Sequence, residues 1–383
     1  MRLALLLVVA ACKFEHGAVA HDARPVVDGE IDAPSTEGCR VVEVAASSAH
    51  TCARKNDGTV ACWGINTQGE AGKDPAGSEM CGTSKCLTSP NPVTLPAGAT
   101  GLGAGDQGSC ILVGNDTFCM GANDSGQFGD GVAGDHYAPT EITARAGSTM
   151  IAGSEASFCS LVGASVICSG SNSHGEVGNG MMAPVYAPYT TIVTGASWLA
   201  MGYRNGCALT SGTVTCWGDN SERQIDTTKL ARNTPTTVVG APIAVEVTAG
   251  FGHICARQAT GTVTCWGRNV EGQIGNGMMS ALPADPTLVA ITDVAQVRAG
   301  GYITCARKTT GDVYCWGEQY GTTPMQIPLP MPASSIAVGS YHGCAIVSDG
   351  KLWCWGWNAY GQFGNGMTDS TITPTPSQSS ICP

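Results

Sequence analysis

The stretch C-A-R-Q-A-T-G-T-V-T-C-W-G at 255–267 places two cysteines ten positions apart around a turn, with tryptophan and glycine directly after the second. Short alternating residues lead into a polar turn, and a β-branched run leads out of it, the pattern of an antiparallel hairpin. The unit formed by Cys255 and Cys265 recurs as Cys52 with Cys62, Cys110 with Cys119, Cys159 with Cys168, Cys207 with Cys216, Cys305 with Cys315 and Cys344 with Cys354. First cysteines of successive pairs lie 58, 49, 48, 48, 50 and 39 residues apart, and a period near this length means a repeat architecture. Cysteines directly opposite on antiparallel strands come close enough to bridge, so each pair is expected to staple its own hairpin. The one-residue difference in spacing is left to the turn or to a bulge.

Before each hairpin runs a small apolar stretch ending in Gly or Ser, such as V-A-A-S at 44–47 or V-T-A-G at 247–250. It reads as a strand poor in bulky side chains, as a crowded central position requires. After C-W-G come a glycine-rich loop and a proline-led strand, such as T-P-T-T-V at 234–238 or D-P-T-L-V at 285–289. Proline cannot donate to a ladder, so this strand belongs on an outer edge. Four antiparallel strands repeated seven times predict an all-β, seven-bladed β-propeller, each blade stapled by a hairpin disulfide.

Blade five carries the fullest motif: Gly250, His253, Cys255, Gly261, Val263, Trp266, Gly267, Asn269, Gly272, Gln273, Gly275 and Gly277. This pattern resembles the repeat of the regulator of chromosome condensation family, whose members form seven-bladed propellers. The resemblance covers roughly residues 40–380. Blade four departs from it with N-S-E-R-Q-I-D at 220–226, and blade six with E-Q-Y-G-T-T-P at 318–324.

Residues 1–12, M-R-L-A-L-L-L-V-V-A-A-C, read as an export signal with V-A-A-C in the place of a bacterial lipobox. On that reading 1–11 is a signal peptide, Cys12 is lipidated, 12–38 is a flexible tether and 39–383 is the propeller, with an insertion at about 73–98. The alternative is an ordinary signal cleaved later, after Ala18-Val19-Ala20. Fourteen of the 19 cysteines fall in hairpin pairs, leaving Cys12, Cys39, Cys81, Cys86 and Cys382. Cys81 and Cys86 are expected to pin the insertion. Cys39 and Cys382 flank the ring, whose ends must meet, and are expected to staple first blade to last. Lipid on Cys12 makes the count even. A metal site is the competing use of these thiols, but no C-x-x-C occurs. Each short bridge contributes about 2–3 kcal/mol in the chain-entropy model, compensating a core thin in large side chains.

A net charge of −11 argues against nucleic acid. His50, His253 and His342 stand two residues before a blade's first cysteine, a family framework position rather than a ring of metal ligands or proton carriers. The G-N-G-M loops at 178–181, 275–278 and 364–367 and D-G-V-A-G-D at 130–135 offer oxygens, but no calcium-loop spacing. Clustered tryptophans serve the plant ultraviolet-B photoreceptor of this fold; here only Trp198, Trp353 and Trp357 fall outside C-W-G. A motif repeated in nearly every blade is scaffold, so no catalytic residue, cofactor or metal is assigned. The expectation is an exported, lipid-anchored, monomeric scaffold of the cell envelope, binding a protein or other macromolecule with one face and touching membrane only through its anchor. Without the anchor it would be secreted. The alternatives are an inhibitor of an extracellular enzyme, a guanine-nucleotide exchange activity implied by the resemblance alone, and a propeller hydrolase or lyase. For binding, the aromatic residues Tyr186, Tyr189, Trp198, Tyr203, Tyr320 and Tyr360 form the expected rim.

Overall fold

The computed structural model describes residues 38–186, 191–377 and 381–382. Seven antiparallel sheets form a seven-bladed propeller, and every blade is contiguous in sequence. Blade five shows the plan: innermost strand Glu246–Ala249, hairpin strands His253–Arg257 and Val263–Asn269, outer strand Ser280–Leu288. Six blades have four strands; blade one has five. Its residues 73–98 divide into a short 3-10 turn at Pro75–Gly77, an added edge strand Glu79–Cys81, and the outer strand Ser84–Val93 itself. The Cys81–Cys86 bridge joins the added strand to the outer one.

Every hairpin carries its staple. Cys52 is bonded to Cys62, Cys110 to Cys119, Cys159 to Cys168 and Cys207 to Cys216. In the last three blades Cys255 is bonded to Cys265, Cys305 to Cys315 and Cys344 to Cys354. In all seven the paired cysteines are direct cross-strand partners with Cα atoms 4.1 Å apart, the short separation of a non-hydrogen-bonded pair. The spacing difference is absorbed in the turn. Blades two, three and four close on two residues, between Val113 and Asp116, Val162 and Ser165, and Thr210 and Thr213. The other blades use a longer turn, as where the Lys55 N–H donates to Thr59 O.

The innermost strands meet around a narrow throat, and their sequences are small because the backbones nearly touch. A side chain on Gly250, Gly300 or Gly339 would collide with the carbonyl oxygen of Gly300, Gly339 or Ser47 in the next blade. The backbones also bond around the throat. Asp106 N–H donates to Ser154 O, Glu155 N–H to Tyr203 O, Tyr203 N–H to Gly250 O and Phe251 N–H to Gly301 O. The belt continues from Tyr302 N–H to Ser340 O and from Ser340 N–H to Ser47 O. At the seventh junction the Ser48 N–H reaches the Asp106 carboxylate instead.

Tryptophan wedges fill the wider gaps farther out. Trp63, Trp217, Trp266, Trp316 and Trp355 are fully buried. Four indoles donate to a loop carbonyl of the preceding blade: Trp63 to Gln362 O at 2.7 Å, Trp217 to Glu176 O, Trp266 to Gln224 O and Trp316 to Gln273 O. The glycine after each third-strand wedge position has a φ of 94–115°, because a Cβ there would strike the neighbouring strand's backbone. Blade two fills the place with Met120. Blade three has Ser169, and the fully buried Arg145 lies beside it, donating to Phe128 O, Phe158 O, Gln127 O, Ser160 Oγ and Ser169 Oγ.

No strand is shared across the seam between blades seven and one. There the Cys39–Cys382 bridge, with Cα atoms 5.2 Å apart, links positions separated by 343 residues. Trp63 and Thr51 both donate to Gln362 O across the same seam. Cys382→Ser is therefore expected to lower the thermal midpoint more than Cys86→Ser, whose loop is local. In the chain-entropy model the long closure is worth about 3 kcal/mol more. Paired thermal melts decide it: equal shifts for the two variants would remove the closing role of this bridge.

Candidate binding face

In each blade the loop after the innermost strand and the loop after the third strand emerge on the same face. Six rings from these loops join into one arc. Tyr203 packs on Phe251 with centroids 4.1 Å apart, Phe251 on Tyr302 at 5.3 Å and Tyr302 on Tyr341 at 5.0 Å. Trp357 follows edge-on at 5.8 Å and Tyr360 at 5.0 Å from Trp357. All six are half-buried, so each offers an edge or a face to solvent. Blades four to seven build this half of the mouth. Blades one to three build the other half with Ser48, Asp106 and Glu155.

The electrostatics of the two halves differ. Glu155 accepts from Tyr203 Oη at 2.6 Å and from Arg204 Nε at 2.7 Å, while the Arg204 guanidinium lies over the Tyr203 ring. Burial and then the Glu155 hydrogen bond push the Tyr203 phenol up to about 12. Burial and then the Glu155 charge push Asp106 up to about 6, against the bond from Ser48. On the aromatic side Arg268 sits over Tyr302 and pairs with Glu271 and Glu222. Glu318 is raised by burial and by Glu271.

Of the six residues expected at the rim, the structure brings only Tyr203 and Tyr360 into this arc. Trp198 lies at a blade interface, its indole donating to Val247 O of blade five. Tyr320 is 3% exposed, held in the apolar cluster between blades six and seven. Tyr186 is exposed, but lies against Gly126 in a loop of blade two, away from the ring contacts. Tyr189 and Cys12 lie outside the described residues. Phe251, Tyr302, Tyr341 and Trp357 escape a reading of the sequence blade by blade. The signal for the first three is positional: M-G-Y, A-G-F, G-G-Y and G-S-Y directly follow or end four consecutive innermost strands.

Each framework histidine is tied to the next blade through one ring nitrogen. His50 bonds Ser47 Oγ at 2.7 Å and Ser109 Oγ at 2.8 Å; His253 bonds Thr304 Oγ1 and His342 bonds Thr51 Oγ1, each the next blade's hydroxyl. Burial holds His50 and His253 down at about 3 and His342 at about 4. The loop oxygens are engaged too. Asn179, Asn276 and Asn365 accept the backbone N–H two residues on, and Asp130 accepts from Val132 N–H and Asn123 and faces His136. Among the described residues no three His, Cys, Asp or Glu side chains group as a metal site would need.

The family profile of the Regulator of chromosome condensation (RCC1) repeat matches residues 41–70, 244–273, 294–320 and 333–362, and a second profile of that repeat matches 349–381. The chain therefore carries regulator of chromosome condensation repeats within its seven-bladed propeller. No curated protein matches it at the level of sequence. Among solved structures, human WBSCR16 is similar with a TM-score of 0.72 at 19% identity, covering 84% of this chain and 94% of that one. The structure of Kap60 bound to yeast RCC1 (Prp20) also gives 0.72, at 18% identity, covering 93% and 91%. The ectodomain of the Physcomitrella patens receptor kinase CR4 gives 0.50 at 20% identity, covering 83% and 74%. At these identities the likeness is one of fold.

The buried histidines set an acid limit on stability. Folded, they stay neutral down to about pH 4; unfolded, they take up protons below about pH 6.5. Stability present above pH 6.5 is therefore lost as the pH falls toward 4, by about 2 kcal/mol per histidine at pH 5. Asp106 works the other way, since its raised carboxyl gains protons when folded. Urea unfolding at pH 7 and pH 5 should show a lower midpoint in acid, and His253→Gln should flatten the difference by about one histidine's share. An unchanged slope in that variant would count against this account.

Proposed function

We propose that this propeller is an exported, lipid-anchored scaffold that binds another protein with its aromatic face. The carrying observation is the continuous arc from Tyr203 to Tyr360, six rings contributed by four neighbouring blades on one face. Half-buried aromatic side chains held rigid by their neighbours are the groups that supply most binding energy at protein interfaces. The opposite face carries the short hairpin turns and has no comparable ring cluster among the described residues.

Chemistry supports this compartment. Nine disulfides among the described residues suit an oxidising, extracellular setting. Among the same residues no helix is long and apolar enough to cross a membrane. The V-A-A-C ending at Cys12 supports a lipid anchor, with 13–38 as its tether. Propellers of this fold engage proteins: the yeast one is seen with Kap60, and Prp20p is described with binding properties to Gsp1p and histones. Inhibition of an extracellular enzyme is the second reading, since a rigid aromatic face is also what an inhibitor needs to plug a cleft.

Two outcomes test this. Envelope proteins captured by the parent should be lost with Phe251→Ala/Tyr302→Ala/Tyr341→Ala, and retained when exposed hairpin-turn residues on the other face are changed. A face-independent capture would refute the assignment. Cys12→Ser should release the protein from membranes with its melting unchanged, and mass spectrometry should find an acyl group on the parent's Cys12. A variant that stays membrane-bound, or a parent without acyl chain, would remove the anchor.

A further inference from the structure

The mouth of the throat joins two unlike halves, and the junction between them has a specific chemistry. Asp106 stands half-buried at the lip of the throat, where the Glu155 charge acts on it. Glu155 is matched by Arg204, but among the described residues no ion pair reaches Asp106. Its carboxylate accepts from the Ser48 N–H. Across the throat lie the rings of Tyr203 and Phe251. A carboxylate without a cation, in a throat that two aromatic rings also line, is a place that favours a positive charge. The narrow mouth, walled by glycine, alanine and serine, admits a thin side chain and not a large ligand.

We propose that the partner bound on the aromatic face presents a lysine or arginine side chain that enters the throat, pairing with Asp106 and lying against Tyr203 and Phe251. This rests on the protein-binding reading above and names the group that the face recognises. Arg204 over Tyr203 and Arg268 over Tyr302 already show that these rings accept guanidinium groups from their own chain. The net charge of −11 adds a favourable long-range field for a basic segment. An acidic or phosphorylated segment would be repelled at the same point.

The test uses the full-length protein and a fluorescein-labelled hexalysine peptide, followed by anisotropy, with labelled hexaglutamate as the opposite-charge probe. Asp106→Asn keeps the shape and an acceptor for Ser48, so it should fold and melt as the parent does. It is expected to weaken hexalysine binding about ten-fold, and Phe251→Ala to weaken it by several-fold. Asp116→Asn removes the same charge from an exposed hairpin strand and should leave binding unchanged. Equal loss with Asp106→Asn and Asp116→Asn would mean attraction to overall charge only and would overturn the proposal, as would binding of hexaglutamate. If hexalysine fails this discrimination while the aromatic triple variant still loses its captured protein, the face binds proteins but not through a cation at Asp106.

Discussion

The close approach of seven innermost strands around one throat governs the rest of this molecule. Strands that exchange backbone hydrogen bonds from blade to blade leave no room for Cβ atoms at Gly250, Gly300 and Gly339. A centre made of glycine, alanine and serine buries little apolar area, so cohesion has to come from elsewhere. It comes from two devices farther out. Disulfides such as Cys255–Cys265 lock each hairpin as a rigid plate, and four indole wedges tie their plates to a carbonyl of the neighbouring blade. The buried histidines add a third tie, each reaching a hydroxyl on the next blade.

The exceptions show which part of the design is adjustable. Blade two replaces the indole with Met120, a flexible side chain suited to an irregular gap. Blade three uses serine and lets Arg145 fill the space, with neutral oxygens around its guanidinium. Burial drives that group down to about 9. Blade six shortens its loop, which removes the glutamine carbonyl that an indole would use, and Tyr320 packs into the vacated room. The wedge is thus a volume to be filled, and indole is only its commonest filler.

Much of this was legible in the sequence because it repeats. Cysteine spacing, C-W-G and the proline-led strands each occur often enough that their period gives blade number and strand order. The Cys39–Cys382 bridge followed from the topology of closure. The single-blade features were not legible. Trp198 and Tyr320 look like surface aromatics when read along the chain, yet one faces a neighbouring blade and the other fills a gap left by a deletion. Arg145 carries no local sign that a tryptophan is missing 24 residues later. The aromatic arc exists only when equivalent positions of different blades are compared, because its contacts join residues about 40–50 positions apart.

The position of the closing bridge also has a mechanical meaning. Cys39 precedes the first innermost strand, Val41–Ala46, by a single residue, and is bonded to Cys382 beyond the last outer strand. Tension arriving along the chain before Cys39 is therefore handed to the sulfur–sulfur bond before it can peel Val41 from its ladder. The load divides between the inner edge of one blade and the outer edge of its neighbour, so the seam is pulled in shear instead of being unzipped strand by strand. A ring loaded this way resists drag applied to its surface as one body.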